Sequence, residues 1–116
     1  MKFSIITVCY NSEKTISETL NSVDKQIFTE YEHIIIDGLS KDNTIKICQS
    51  KINSKRQIIS ELDQGIFDAM NKGILISRGE YLIFLNSDDK FFNNEVLSVI
   101  NKNLKNECII YGNIVI

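Results

Sequence analysis

In the segment His33-Ile34-Ile35-Ile36 the apolar residues are consecutive rather than alternating, and the run stops abruptly at Asp37-Gly38. Successive side chains of a strand point to opposite faces, so a run of this kind must be covered on both sides. Phe3 to Cys9 is a second β-rich run and Tyr81 to Leu85 a third, with Gln57 to Ser60 as a shorter one. Segments with apolar residues at helical spacing lie between them. Repeated βα units with such strands give a mostly parallel sheet with helices on both faces. The expected fold class is therefore α/β, a three-layer α/β/α sandwich formed by one domain over residues 1–116.

The spacing predicts a first helix from Glu13 to about Gln26, with Ile16, Leu20, Val23 and Ile27 facing inward and Ser12 as its N-cap. A second opens at Ser40, Asp42 and Asn43 and turns Ile45, Cys48 and Ile52 inward. Ile66, Ala69, Met70 and Ile74 define a third, a fourth runs from Asn94 to Leu104, and Cys108 to Tyr111 starts a fifth strand. No repeat, linker or low-complexity stretch interrupts this order.

Composition narrows the function. A net charge of −2, with Lys and Arg scattered along the chain, gives no basic footprint for nucleic acid. No stretch is long and apolar enough to span a membrane, and the N-terminus reads as a strand rather than a signal peptide. The three cysteines, Cys9, Cys48 and Cys108, are far apart and form no CxxC pair, so buried thiols in a reducing cytoplasm are expected. The five glycines form neither GxGxxG nor GxxxxGK[ST]. His33 is the single histidine and sits inside a strand, where it is expected to have no catalytic role.

In open α/β sheets, ligands bind beyond the carboxyl ends of the strands, where the strand order reverses. The polar residues gather at those ends: Tyr10 and Asn11 after the first strand, Asp37 after the second, Glu61 and Asp63 after the third, Asp88 and Asp89 after the fourth. Adjacent carboxylates suit a hard ion such as Mg²⁺ or Mn²⁺, held by one or two carboxylates together with substrate phosphates. From spacing alone, Asp88-Asp89 is equally a solvated turn ahead of a helix.

The chain resembles family 2 glycosyltransferases of the GT-A fold, the bacterial type that builds envelope polysaccharides. The likeness is carried by FSIITVCYNSEKTISETLNSV, HIIIDGLSKDNT, SELDQGIFDAMNKGI and RGEYLIFLNSDD, in the family's order and over nearly the whole chain. It implies a Rossmann-like nucleotide-sugar-binding half and a donor that is a nucleoside diphosphate sugar, UDP-linked. It also implies a glycan or lipid-linked acceptor and metal-assisted transfer with inversion, by a cytoplasmic enzyme that can sit at the inner face of the cytoplasmic membrane. Carried over by position, Thr7, Val8, Tyr10 and Asn11 resemble the base pocket, and Asp37 the acid that accepts a hydrogen bond from uracil. Asp63, Asn71 and Lys72 would lie along the donor; Ser87, Asp88 and Asp89 match the DxD-type motif, with Asp89 as direct metal ligand and Asp88 toward the ribose or the metal.

On the residues alone, Asp37 is also readable as a turn residue, and Asn71 and Lys72 as an exposed helix face. Two departures from the family stand out. Ser87 replaces the first acid of the motif, and the family's catalytic base would lie beyond Ile116, so the chain is expected to be a truncated, inactive portion of a longer enzyme. The alternatives are a non-catalytic nucleotide-sugar-binding module and a phosphoacceptor regulator. The regulator wants an acidic pair after the first strand, where this chain has Cys9-Tyr10-Asn11.

Overall fold

The computed structural model describes residues 1–104 and, as backbone, 109–111. The strands are β1 (Phe3–Cys9), β2 (Tyr31–Asp37), β3 (Arg56–Ser60), β4 (Tyr81–Phe84) and β5 (Ile109–Tyr111). They alternate with α1 (Ile16–Asp24), α2 (Thr44–Ser50), α3 (Ile66–Ile76) and α4 (Val96–Lys102). All pairings are parallel and the order is β3-β2-β1-β4-β5. The chain thus winds outward from β1 in one direction through β2 and β3, then returns to the other side of β1 for β4. The three-layer sandwich expected from the consecutive apolar runs is the fold observed.

Every residue of β1 and β2 is buried. Phe3 and Ile5 join Val23, Leu97 and Ile100 on one face, while Cys9 and Ile35 pack with Ile16, Leu20 and Cys48 on that same face. Ile6, Val8, Ile34 and Ile36 point the other way, against Ala69 of α3. Helices α1, α2 and α4 therefore cover one side and α3 the other. Gly73 lets α3 lie close to the sheet, since a Cβ there would stand 2.6 Å from Cγ2 of Ile6. At the amino end of the strands Gly79 comes closer still: a Cβ would meet the Ser4 backbone nitrogen at 2.5 Å. Beside it, the buried Glu32 carboxylate accepts the Arg78 backbone N–H at 2.6 Å and the Ser4 hydroxyl. Burial opposes ionisation of Glu32, but these hydrogen bonds together with the Arg78 guanidinium outweigh it and lower the pKa.

Several helix expectations need correction. Helix α1 starts at Ile16, not Glu13, and Ser12 is not a side-chain cap; its backbone carbonyl accepts the N–H groups of Thr15 and Ile16. The Ser12 hydroxyl is engaged elsewhere, 2.7 Å from Ser87 Oγ. Ile27 lies past the helix and is exposed. In α2 the inward residues are Thr44 and Cys48 with Ile47 beside them, whereas Ile52 lies beyond the helix and is 94% exposed. In α3 the buried positions are Ala69 and Gly73, while Ile66 and Ile74 are exposed. Small residues, not the largest apolar ones, mark the inner face where a helix approaches this closely. Helix α4 is shorter than expected at both ends. Cys9 and Cys48 are free and buried; Cys108 lies outside the described residues.

Candidate functional site

The sheet order reverses between β1 and β4, and the loops leaving those two strands diverge there. A cleft of about 810 Å³ opens at that point. Its walls are residues 8–15 at the end of β1, Asp42 from the loop after β2, Asp63, Gly65, Ile66 and Ala69 from the β3–α3 connection, and Asn86, Ser87 and Asp88 after β4. Of the residues singled out from sequence, the fold brings Val8, Tyr10, Asn11, Asp63, Ser87 and Asp88 onto this one cleft. Thr7, Asp37, Asn71, Lys72 and Asp89 do not line it.

Each absence has a physical reason. Thr7 is fully buried, with its hydroxyl 2.8 Å from Nε2 of His33. Nδ1 of His33 accepts the Arg56 Nε–H at 3.2 Å, which leaves Nε2 carrying the ring proton and donating it to Thr7. Burial and then the Arg56 charge hold the His33 pKa well below its ordinary value. Asp37 is also fully buried. Its carboxylate accepts the Ser40 N–H at 3.0 Å, the Ser40 and Ser60 hydroxyls, and the Cys9 thiol at 3.5 Å. The Cys9 thiol is pushed far up in pKa by burial and then by the Asp37 charge, so it stays a donor. Lys72 donates to the Leu62 carbonyl at 2.6 Å and pairs with Glu61 and Asp68. It braces the β3–α3 loop instead of reaching the cleft. Asn71 is exposed on α3.

From sequence, Asp37 is the ligand candidate of the DGLSKDNT segment, with Ser40, Asp42 and Asn43 opening the second helix; much of the segment is a lattice under the loop after β1. Asn11 N–H donates to the Ser40 hydroxyl, Ser12 N–H to the Thr44 hydroxyl, and Glu13 N–H to Asp42. In return the Lys41 N–H reaches the Asn11 side chain at 2.8 Å, and the Asn43 N–H reaches Glu13 at 3.1 Å. Asn11 has φ of 50°, a left-handed conformation that asparagine adopts more readily than most residues. The signal was present: Ser40, Asp42 and Thr44 are short side chains that bond backbone N–H groups in loops.

The Tyr10 ring is 54% exposed at the mouth of the cleft. Asp63 accepts the Gly65 N–H at 3.1 Å, and its other oxygen lies over Gly38, 2.7 Å from where a Cβ would be. The absence of a side chain at Gly38 makes room for that carboxylate. Asp88 is exposed and Asp89 half-buried, and among the described residues neither forms an ion pair. The pKa of Asp89 is raised by burial and then by the charge of Asp88, with the Asn86 backbone amide drawing the other way. A bound divalent cation would relieve that repulsion. No group of three potential metal-ligating side chains exists among the described residues, so these could supply only part of a coordination shell.

Comparisons with known proteins bear on the family and the fold. The chain is 39% identical over 102 residues to the poly(ribitol-phosphate) beta-N-acetylglucosaminyltransferase TarS of Staphylococcus aureus strain MW2, covering 84% of this chain and 18% of that protein. It is 34% identical over 112 residues to the Escherichia coli glucosyltransferase WfgD, covering 95% of this chain and 44% of that one. The chain therefore spans less than half the length of these relatives. The crystal structure of S. aureus TarS 1–349 with UDP-GlcNAc superposes with a TM-score of 0.82 at 34% identity, over 88% of this chain and 30% of that one. A mannosyltransferase from Pyrobaculum calidifontis shares the fold with a TM-score of 0.78 at 19% identity, over 87% of this chain and 31% of that one. Residues 4–116 match the model of the family described as glycosyl transferase family 2, and the chain belongs to that family.

Proposed function

We propose that this chain is the donor-binding portion of a glycosyltransferase that moves a sugar from a UDP-linked donor to a glycan or lipid-linked acceptor, with inversion at the anomeric carbon. The observation that carries the reading is the meeting, in one cleft at the reversal of strand order, of the exposed Tyr10 ring with the Asp63 and Asp88 carboxylates, Asp89 adjoining Asp88 just outside the lining. The UDP-GlcNAc bound to TarS 1–349 and the UDP-Glc in the full name of WfgD support a uridine donor.

In this reading Tyr10 stacks on the base, Val8 and Asn11 border it, and Asp63 accepts its N–H. Asp37 lies behind them with its lone pairs already used, so it supports the pocket instead of touching uracil. Asp88 and Asp89 hold Mg²⁺ or Mn²⁺ together with the diphosphate. Such a cation neutralises the charge that grows on the leaving diphosphate. Ser87 holds the loop against Ser12 and presents no third acid. None of the described residues is assigned the deprotonation of the acceptor hydroxyl.

Calorimetry of UDP with and without Mn²⁺, on wild type and Asp89→Ala, tests this. The expected result is tighter binding with Mn²⁺ in wild type and no such gain in the variant. Equal affinity in all four titrations would remove the metal role.

A further inference from the structure

Helix α1 carries a polar stripe on its packed side. Thr19, Ser22 and Gln26 are spaced three and four residues apart, so they line up along one face at and just past the end of the helix. Thr19 and Gln26 are buried, although helices rarely bury polar groups without a partner. Each of the three has a partner in the segment after β4, and the Gln26 amide also donates to the Ser22 carbonyl at 3.1 Å. The Thr19 hydroxyl lies within donating distance of two carbonyls, those of Ser87 at 3.0 Å and of Asp89. Ser22 Oγ accepts the Phe91 N–H at 3.0 Å while donating to the Thr19 carbonyl at 2.8 Å. The Gln26 amide donates to the Asn93 carbonyl at 2.6 Å, and its oxygen accepts the Leu97 N–H at 3.0 Å. A threonine inside a helix ordinarily returns its proton to the preceding turn; Thr19 spends it on the loop.

The two carbonyls held by Thr19 flank Asp88. Together they constrain the peptide unit before Asp88 and the one after Asp89, and with them the directions in which the Asp88 and Asp89 side chains leave the backbone. We propose that Thr19 is a positioning residue for the acidic pair: its hydroxyl pre-sets the Ser87–Asp89 backbone so that both carboxylates meet one cation. Ser22 and Gln26 extend the same grip along the loop. The proposal rests on the reading of Asp88 and Asp89 as cation-binding. Preorganisation matters here because two like charges would otherwise turn apart, and a loop that must reorder on binding loses affinity to that ordering.

Two measurements on the chain test it, with Thr19→Val removing the hydroxyl at constant shape and Thr19→Ser restoring it. The first is the ratio of UDP affinities with and without Mn²⁺. The second is amide hydrogen exchange at Asp89 and Phe91, set against the β1 and β2 amides as an internal control. Thr19→Val is expected to cut the Mn²⁺-dependent gain about fivefold, the equivalent of roughly 1 kcal/mol for one hydroxyl hydrogen bond. Exchange at Asp89 and Phe91 should quicken while the strands stay protected, and Thr19→Ser should restore both. Should Thr19→Val fail to fold, Thr19→Ala, which removes the hydroxyl and favours the helix, replaces it in both measurements. A wild-type gain that the variant leaves intact overturns the positioning role alone. A wild-type chain with no Mn²⁺-dependent gain overturns the metal reading, and the positioning role with it.

Discussion

Asp37 and Asp42, after β2, and Asp88 and Asp89, after β4, stand on the same rim of one sheet, but different things solvate them. The first pair is answered from within. Asp37 takes donors from Cys9, Ser40 and Ser60, and Asp42 takes the Thr44 and Glu13 N–H groups and the Thr44 hydroxyl. Desolvation opposes ionisation of Asp42, but the hydrogen bonds from Thr44 and the Glu13 N–H together outweigh it and hold the pKa low. The second pair has its backbone held by α1, and among the described residues no Lys or Arg pairs with its carboxylates; the adjacent Lys90 turns to Glu18. An acid at a strand end is therefore not evidence of a ligand by itself. Whether the fold has already used its lone pairs decides the matter.

That contrast is broken most forcefully at Asp37. Asp37→Ala would leave the buried Cys9 thiol and the partly buried Ser40 N–H and hydroxyl without their acceptor, each such orphan costing on the order of 1–3 kcal/mol, while the exposed Ser60 hydroxyl can turn to water. The expected loss of stability is about 3 kcal/mol or more, read by urea denaturation. If stability is unchanged while UDP binding weakens, Asp37 belongs with the open acids and the distinction drawn above is wrong.

A smaller effect comes from His33, on the same side of the sheet as Asp37. Its folded-state pKa lies well below the ordinary value of 6.5, so below that pH the unfolded chain takes up a proton that the folded chain refuses. Stability should be flat above about pH 7 and fall as the pH drops through 6.5. The slope for one proton is at most about 1.4 kcal/mol per pH unit. Melting curves of wild type and His33→Gln between pH 7.5 and 5 would check this. An equal slope in both would assign the acid sensitivity elsewhere.

The sheet was legible in the sequence because both faces of β1 and β2 are buried, so their apolar runs needed no partner information. Helix faces were less legible. Ile52 and Ile74 look inward by spacing but are exposed, while Gly73 and Ala69 make the close contact. The cleft was half legible. Tyr10, Asn11, Asp63 and Asp88 stand where strand ends predict. What could not be read was the difference between Asp37 and Asp88, since residue type is the same and only tertiary donors separate them. Thr19, Ser22 and Gln26 were missed for a related reason. They sit among Ile16, Leu20 and Val23, and an apolar pattern gives no weight to polar residues that share the buried side.

The mildest change on stability is the sharpest test of the open pair. Asp89 has a folded-state pKa raised above the ordinary aspartate value of 3.8, by burial and by Asp88. A raised carboxylate pKa means the folded chain holds that proton more tightly than the unfolded chain, so ionised Asp89 costs stability at neutral pH. In wild type this cost should develop as the pH rises from 3.8 through the raised value, then level off. Asp89→Asn removes the charge at nearly constant size. It should therefore leave stability unchanged or raise it slightly, within about 0.5 kcal/mol, the usual range for a surface substitution. Its pH profile should lose the corresponding step. The same variant should abolish the Mn²⁺-dependent gain in UDP affinity, so that function falls while stability does not. A loss of 1 kcal/mol or more in Asp89→Asn, read by urea denaturation at pH 7, would mean that the fold itself uses this carboxylate. Asp89 would then be a closed acid like Asp37, and the cation would need a different ligand.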